Sequence, residues 1–304
     1  MIKSNFITST FQNFIIRRDI REFKKSLFYY ILFRLIRNFL MHDIILKIYN
    51  FKISGSIKKN KTSYFLLKKC EFGDYDELNT IKNFSNNNKL ILIDCGCNYG
   101  FYSFYTSSLS SKNIVISIEA SKNTSNEFIR NLKLNNISNI NFFNKAVSNI
   151  DDQNIIFYES KNDWESSQTH SNFEINSKSE IKSIKIDSLL KKYTLENYSL
   201  IIKLDVEGNE VNAIKGAIDL IEEKNPLIII EFSKYIFDDT DNIDYLNSFL
   251  LKYDYSIYDT KKNKKNLSDV LLMIKNLKQK RKTIGNFYLI KNSSNYLKTF
   301  LSNE

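Results

Sequence analysis

Three groups of residues have the types and spacing to do chemistry. The first is the stretch DCGCNYG from Asp94 to Gly100. The chain has only 7 glycines, and two of them, Gly96 and Gly100, fall within this one turn. That spacing points to close backbone approach or to positive φ, and it predicts a tight turn whose N–H groups face a ligand. Asp94, Gly96, Asn98 and Gly100 are therefore candidate binding residues. The second is Glu119, closing the run IVISI. An acid at the tip of the neighbouring strand can accept from both hydroxyls of a ribose, although a solvated strand end would also carry one. The third is LDVEGNE, which places Asp205, Glu207 and Glu210 within six positions. Three carboxylates this close need a cation nearby, and Lys203 or a cationic ligand could supply it. A solvated turn with an acid at a helix start is the plainer reading. His170, in the polar loop that also holds Trp164, could take a proton from a hydroxyl.

These residues need elements to hold them. Leu90 to Ile93 is a short, branched, uniformly apolar run, as expected of a strand buried on both faces, with Phe101 to Leu109 as the helix behind it. Ile114 to Ile118, Ile140 to Phe143, Leu200 to Leu204 and Leu227 to Phe232 repeat the pattern, with helices from Ser121 to Leu134 and from about Asn209. Ile155 to Tyr158 and Ile181 to Ile186 alternate as an extra hairpin would. Asp241 to Leu251 reads as a helix and Tyr253 to Tyr258 as a strand. A last strand, Asn286 to Ile290, is expected to run antiparallel between the previous two. Between Ile53 and Lys89 the chain reads as largely polar and irregular.

Four blocks in this order, LILIDCGCNYGFYSF, SIEASKNTSNEFIRNLKLNNISNINFFNKAVSN, IIKLDVEGNEVNAIKGA and PLIIIEF, resemble the FkbM-type family of S-adenosylmethionine-dependent methyltransferases. The resemblance is close from Phe72 to Phe232. It implies an α/β fold, a three-layer Rossmann-like methyltransferase sandwich around a seven-stranded, mostly parallel sheet. The domain would run over 71–304 behind an N-terminal helical extension over 1–70. The implied cofactor is S-adenosylmethionine and the implied reaction O-methylation of a glycan or other small polar acceptor, lipid-linked in one version. The resemblance also sets Asn144 and Ala146 beside the adenine, with an ordinary surface asparagine as the equal alternative for Asn144, and it makes Glu71, Asp76 and Glu77, just before the first strand, minor candidates near the cofactor. Asp205 and Glu207 join His170 as candidates for proton removal and alignment, with Tyr99 and Trp164 offered for stacking on a sugar. The family sets no metal requirement, and none is assigned.

Composition narrows the alternatives. Net charge is +10, which suits an anionic partner, but the lysine-rich, asparagine-rich bias accounts for much of it. An RNA-binding or RNA-modifying protein is therefore an alternative, though nucleic acid is disfavoured because the aromatics gather near the N-terminus rather than on a sheet. An oxidoreductase is disfavoured by the lack of G-x-G-x-x-G. A cofactor-binding protein without catalysis would share every feature named. Three cysteines, Cys70, Cys95 and Cys97, give neither a disulfide framework nor a zinc set, so the chain reads as reduced and cytoplasmic. From Ser26 to Tyr49 an apolar, aromatic run follows Arg17, Arg18, Arg21, Lys24 and Lys25. Arg34, Arg37, Asp43 and Lys47 interrupt it, which rules against a membrane span. It can be a helical cap over the site, with His42 structural, or a homodimer contact, or a peripheral anchor at the inner membrane face.

Overall fold

Leu90 to Ile93 are wholly buried, and their alternation decides the layering. Leu90 and Leu92 pack into one apolar cluster, Ile91 and Ile93 into the other. The computed structural model describes residues 20–23, 27–29, 31, 43–56, 72–160, 175–191, 193, 195–278 and 283–302. Its strands are β1 (Asp43–Ile48), β2 (Phe51–Ser56), β3 (Lys89–Cys95), β4 (Ile114–Ile118), β5 (Ile140–Phe143), β6 (Ala146–Val147) and β7 (Asn154–Ser160). They continue as β8 (Ile175–Ile184), β9 (Tyr198–Leu204), β10 (Leu227–Ser233), β11 (Tyr255–Tyr258), β12 (Lys264–Lys265) and β13 (Thr283–Lys291).

The main sheet has the order β12-β11-β13-β10-β9-β3-β4-β5. From β10 to β5 every neighbouring pair is parallel. β13 runs antiparallel between β10 and β11, as the sequence predicts. The sheet is eight-stranded rather than seven-stranded, because the two-residue β12 pairs antiparallel with β11 at the edge. Helices α1 (Tyr75–Asn87), α2 (Phe101–Leu109), α3 (Lys122–Asn135) and α10 (Asn295–Leu301) build the first apolar cluster with the β1–β2 hairpin. The opposite face carries α4 (Ile186–Leu190), α5 (Glu210–Lys215), α6 (Ile218–Lys224), α7 (Lys234–Phe237), α8 (Thr240–Lys252) and α9 (Leu267–Lys275). The result is a three-layer α/β fold. A second sheet, β6-β8-β7, contains the expected hairpin, with β7 and β8 antiparallel. Ile186 opens α4 instead of closing β8.

Two expectations near the N-terminus change. The polar-looking approach to β3 contains the 13-residue helix α1, which buries Leu78, Ile81 and Phe84 three residues apart. In the extension, residues 43–56 form a β-hairpin instead of continuing the helical region, of which residues 20–23, a 3-10 turn, and residues 27–29 and 31 are described. Leu46, Ile48, Phe51 and Ile53 are its buried side. Among the described residues no helix is long and apolar enough to cross a membrane.

The hairpin is held by α3 in an unusual way. Asn131 Oδ1 accepts the Ser54 N–H at 2.7 Å, and Asn135 Oδ1 accepts the Lys52 N–H at 2.6 Å. Asn135 Nδ2 donates to the Lys52 carbonyl at 2.7 Å. One helical turn advances about 6 Å over four residues and a strand nearly 7 Å over two, so the i, i+4 amides match alternate residues of β2. Asn131 is fully buried. Asn131→Ala leaves the Ser54 N–H without its acceptor, and chemical denaturation should show a loss of about 1–3 kcal/mol; an unchanged midpoint and slope would show that the hairpin does not need this bond.

Candidate functional site

The turn after β3 is shaped by a backbone collision. Gly96 has φ 75°, and a Cβ there would lie 1.8 Å from the Asp205 carbonyl oxygen. Asp205 N–H in turn donates to the Cys95 carbonyl at 3.1 Å. Only glycine allows β3 and β9 to come this close. At Gly100, φ 88°, a Cβ would meet the rings of Phe104 and Phe128 within 2.8 Å. The turn differs from expectation in where its donors go. Gly96 and Cys97 N–H groups donate to the Ile118 carbonyl, Asn98 N–H to Glu119 Oε2, Tyr99 N–H to Asn98 Oδ1 and Gly100 N–H to the Cys97 carbonyl. All five are spent inside the protein, so the turn fixes neighbouring strand tips and does not present free N–H groups. Burial pushes the thiols of Cys95 and Cys97 well up, which suits packing residues.

What the turn leaves for a ligand is carboxylate. Asp94 is buried; its Oδ2 accepts from Ser103 Oγ at 2.6 Å, while Oδ1 has no hydrogen-bond partner among the described residues. Burial raises its pKa. Glu119 Oε1 accepts the Ser121 N–H at 2.8 Å, and Oε2 the Asn98 N–H at 3.0 Å. Burial pushes the Glu119 carboxyl up to about 7 against the pull of those two donors. A carboxylate has about four lone-pair sites, so both oxygens can still accept from a ligand. Asn144 is exposed, and its Nδ2 donates to the carbonyls of Glu119 and Ala120 and to Ser125 Oγ. Its amide nitrogen thereby braces the chain beside Glu119. Ala146 opens β6 and is buried.

The LDVEGNE turn separates its three acids. Glu207 at φ 53° and Gly208 at φ 101° reverse the chain. Glu210 then folds back beneath it, accepting from the Val206 N–H at 3.0 Å and the Gly208 N–H at 3.0 Å. It is wholly buried, and burial pushes it up to about 7. Glu210 is thus the brace of the turn and not a member of an open cluster. Its place is taken by Glu231, near the end of β10. Carboxylate oxygens of Asp205, Glu207 and Glu231 all lie within 4.8 Å of one another. Burial, then the charges of Asp205 and Glu210, push Glu231 up to about 8, so near neutrality it holds a proton and relieves the crowding. The sequence does carry a sign of Glu231: it is a strand-end acid like Asp94, Glu119 and Asp205.

Beneath the cluster lies Lys203, buried and 2.8 Å from Asp205 Oδ2. Its ammonium stands 4.7 Å from the centre of the Tyr102 ring, whose hydroxyl donates to Asp74 Oδ2 at 2.8 Å. Glu77 Oε1 accepts from Asn286 Nδ2 at 2.9 Å, and burial raises its pKa. Asp76 pairs on the outside with Lys261 at 2.7 Å. The adjacent strands β4, β3, β9 and β10 therefore bring Glu119, Asp94, Asp205 and Glu231 to one edge, with the reversal of strand order between β3 and β9. That is the place where open α/β sheets bind ligands. Tyr99 is buried in the turn. His170, Trp164, His42, Cys70 and Glu71 lie outside the described residues.

Among solved structures, the chain is similar to the FkbM methyltransferase from Methylobacillus flagellatus KT, with 14% identity and a TM-score of 0.39, covering 95% of this chain. It spans 59% of the length of that protein. Precorrin-6y C5,15-methyltransferase from Geobacter metallireducens GS-15 is similar at 11% identity and a TM-score of 0.35, over 69% of this chain and 83% of that one. M. jannaschii TYW2 in complex with AdoMet is similar at 10% identity and a TM-score of 0.37, over 81% of this chain and 84% of that one. No curated protein matches the chain. The family described as the methyltransferase FkbM domain matches residues 94–257, more than half of the sequence and all four acid-bearing strand tips, and the chain therefore belongs to the FkbM family of S-adenosylmethionine-dependent methyltransferases.

Proposed function

We propose that the protein uses S-adenosylmethionine to methylate a hydroxyl oxygen of a small polar acceptor, a glycan hydroxyl being the preferred case. The carrying observation is the division of the acids along one sheet edge. Asp94 and Glu119 are buried beside the glycine turn, with one oxygen of Asp94 unpartnered. Asp205, Glu207 and Glu231 converge at the ends of the next two strands, β9 and β10. The first pair fits the cofactor. Glu119 accepts ribose hydroxyls, and Asp94 offers its open oxygen to the cationic end. When bound, S-adenosylmethionine supplies a methyl group activated by a sulfonium.

The second group serves the acceptor. A hydroxyl loses its proton poorly near neutrality, so a nearby carboxylate that accepts it as the new bond forms lowers the barrier. Asp205 is anchored by Lys203 through Oδ2 and aligns the acceptor or the cofactor amine. Glu231, when ionised, and Glu207 are the carboxylates we assign to take the proton, and His170 keeps its place as a candidate base. The acceptor, its linkage to a lipid and any membrane or dimer contact of the N-terminal segment follow from the sequence reading; cytoplasmic chemistry fits a reduced chain.

Two outcomes are expected. Glu119→Ala should weaken S-adenosylhomocysteine binding at least about tenfold by calorimetry, since hydrogen bonds to a charged group contribute roughly 1.5–3 kcal/mol. Hydroxyl donors favour the ionised form, so wild-type affinity should fall as pH drops below about 7. The variant should lose that dependence; unchanged affinity in it would sink the ribose assignment. Separately, Asp205→Asn, Glu207→Gln, Glu231→Gln and His170→Ala are to be compared at saturating cofactor, where loss of the base should cut turnover by about 10² to 10⁴. If Glu231 is that base, turnover rises through about pH 8 and Glu231→Gln removes the limb. Near-native turnover in all four would reject the mechanism.

A further inference from the structure

The second sheet touches both ends of the acid-bearing edge. At one end Val147 of β6 pairs with Ile184 of β8, and the Val147 carbonyl accepts from Asn209 Nδ2 at 2.7 Å, beside the 205–210 turn. At the other end Glu159, the penultimate residue of β7, is 4% exposed. Its Oε1 accepts the Lys122 N–H at 3.0 Å, and its Oε2 accepts from Asn123 Nδ2. Lys122 and Asn123 are the first two residues of α3.

A helix start leaves several N–H groups without intrahelical partners. Here they are shared out. Glu119 takes the Ser121 N–H, Glu159 takes the Lys122 N–H, and Ser121 Oγ takes the Thr124 N–H at 3.2 Å. Ser125 Oγ then returns to the Glu119 carbonyl at 3.3 Å. The segment from Glu119 to Ser125 is thus held from below by Glu119 itself and from the side by a carboxylate of another sheet. Because Glu119 Oε1 is tied to Ser121, any shift of the α3 start turns the Glu119 side chain. Ser121 supplies the ordinary cap, so the helix start has an acceptor without Glu159.

We infer that Glu159 is a positioning residue for the cofactor: by fixing the first turn of α3 it sets the direction in which Glu119 faces the ribose. The inference rests on the assignment of Glu119 in the proposed function. It makes the β7–β8 hairpin part of the binding machinery and not an ornament of the fold. A carboxylate suits the place because it accepts two hydrogen bonds at once, and the partial positive charge of a helix start favours it there.

The test uses the full chain and S-adenosylhomocysteine as the probe. Glu159→Ala should raise Kd about tenfold while kcat at saturating cofactor and KM for the acceptor stay within about twofold. Glu159→Gln keeps an acceptor for the Lys122 N–H and should recover most of the affinity, which also guards against a poorly folded Ala variant. Combined with Glu119→Ala, the effect of Glu159→Ala should largely vanish, since the two act through one contact. An unchanged Kd in a destabilised Glu159→Ala, or full additivity with Glu119→Ala, overturns the inference and leaves the proposed function standing. Failure of the wild type to bind the probe removes the proposed function and this inference with it.

Discussion

One ammonium that is buried, that of Lys203, stands under the acid-bearing edge, and the edge depends on it. Taking such a group out of water costs several kcal/mol, which a good ion pair only just offsets. Burial alone would lower its pKa, but Asp205 first and then Asp94 and Asp74 raise it, so the charge is retained. On the sheet Lys203 sits directly between Asp94 of β3 and Ile229 of β10. Its charge therefore answers Asp94 on the neighbouring strand and Asp205 two residues on, with the Tyr102 ring 4.7 Å from the ammonium. Without it, Asp205 would lie 4.8 Å or less from two other carboxylates with the Lys203 charge gone. The net charge of +10 belongs to the chain as a whole, while this edge is locally acidic.

Identical side-chain chemistry does different work within a few residues. Glu207 and Glu210 are three positions apart, yet one joins an open cluster and the other closes a turn from beneath. Glu119 and Glu159 both serve the start of α3, one from the strand before it and one from a separate sheet. Sequence spacing cannot separate these roles, because the direction of a carboxylate is set by which N–H groups the turn leaves within reach.

The main sheet was legible because the parallel strands β3, β4, β9 and β10 are bounded runs rich in Ile, Leu and Val whose tips carry acids. Ile114 to Ile118 and Ile140 to Phe143 are recovered to the residue. α1 was hidden because its buried residues include only three large apolar ones, Leu78, Ile81 and Phe84, beside Glu77 and Thr80 and amid Asn, Lys and Ser. The β1–β2 hairpin did carry a signal, the alternation of Leu46, Ile48, Phe51 and Ile53 around Lys47 and Lys52, but it was masked by the longer apolar run before it. In the site, the acids at Asp94, Glu119 and Asp205 could be read as strand ends. The fate of the turn's N–H groups could not, since it depends on Ile118 and Glu119 arriving from the next strand. Glu231 joins Asp205 only through the pairing of β9 with β10, a relation between segments far apart in the chain.

The amides of Asn131 and Asn135 have a consequence for how the molecule meets its neighbours. A two-stranded ribbon ordinarily exposes a row of unpaired backbone groups, a template on which another chain can add a strand. On β2 the N–H groups of Lys52 and Ser54 and the carbonyl of Lys52 are already engaged by helix side chains. The helix thus imitates the third strand of a sheet without being one. An edge occupied in this way cannot recruit a second copy, so α3 doubles as a guard against strand-to-strand aggregation on that side.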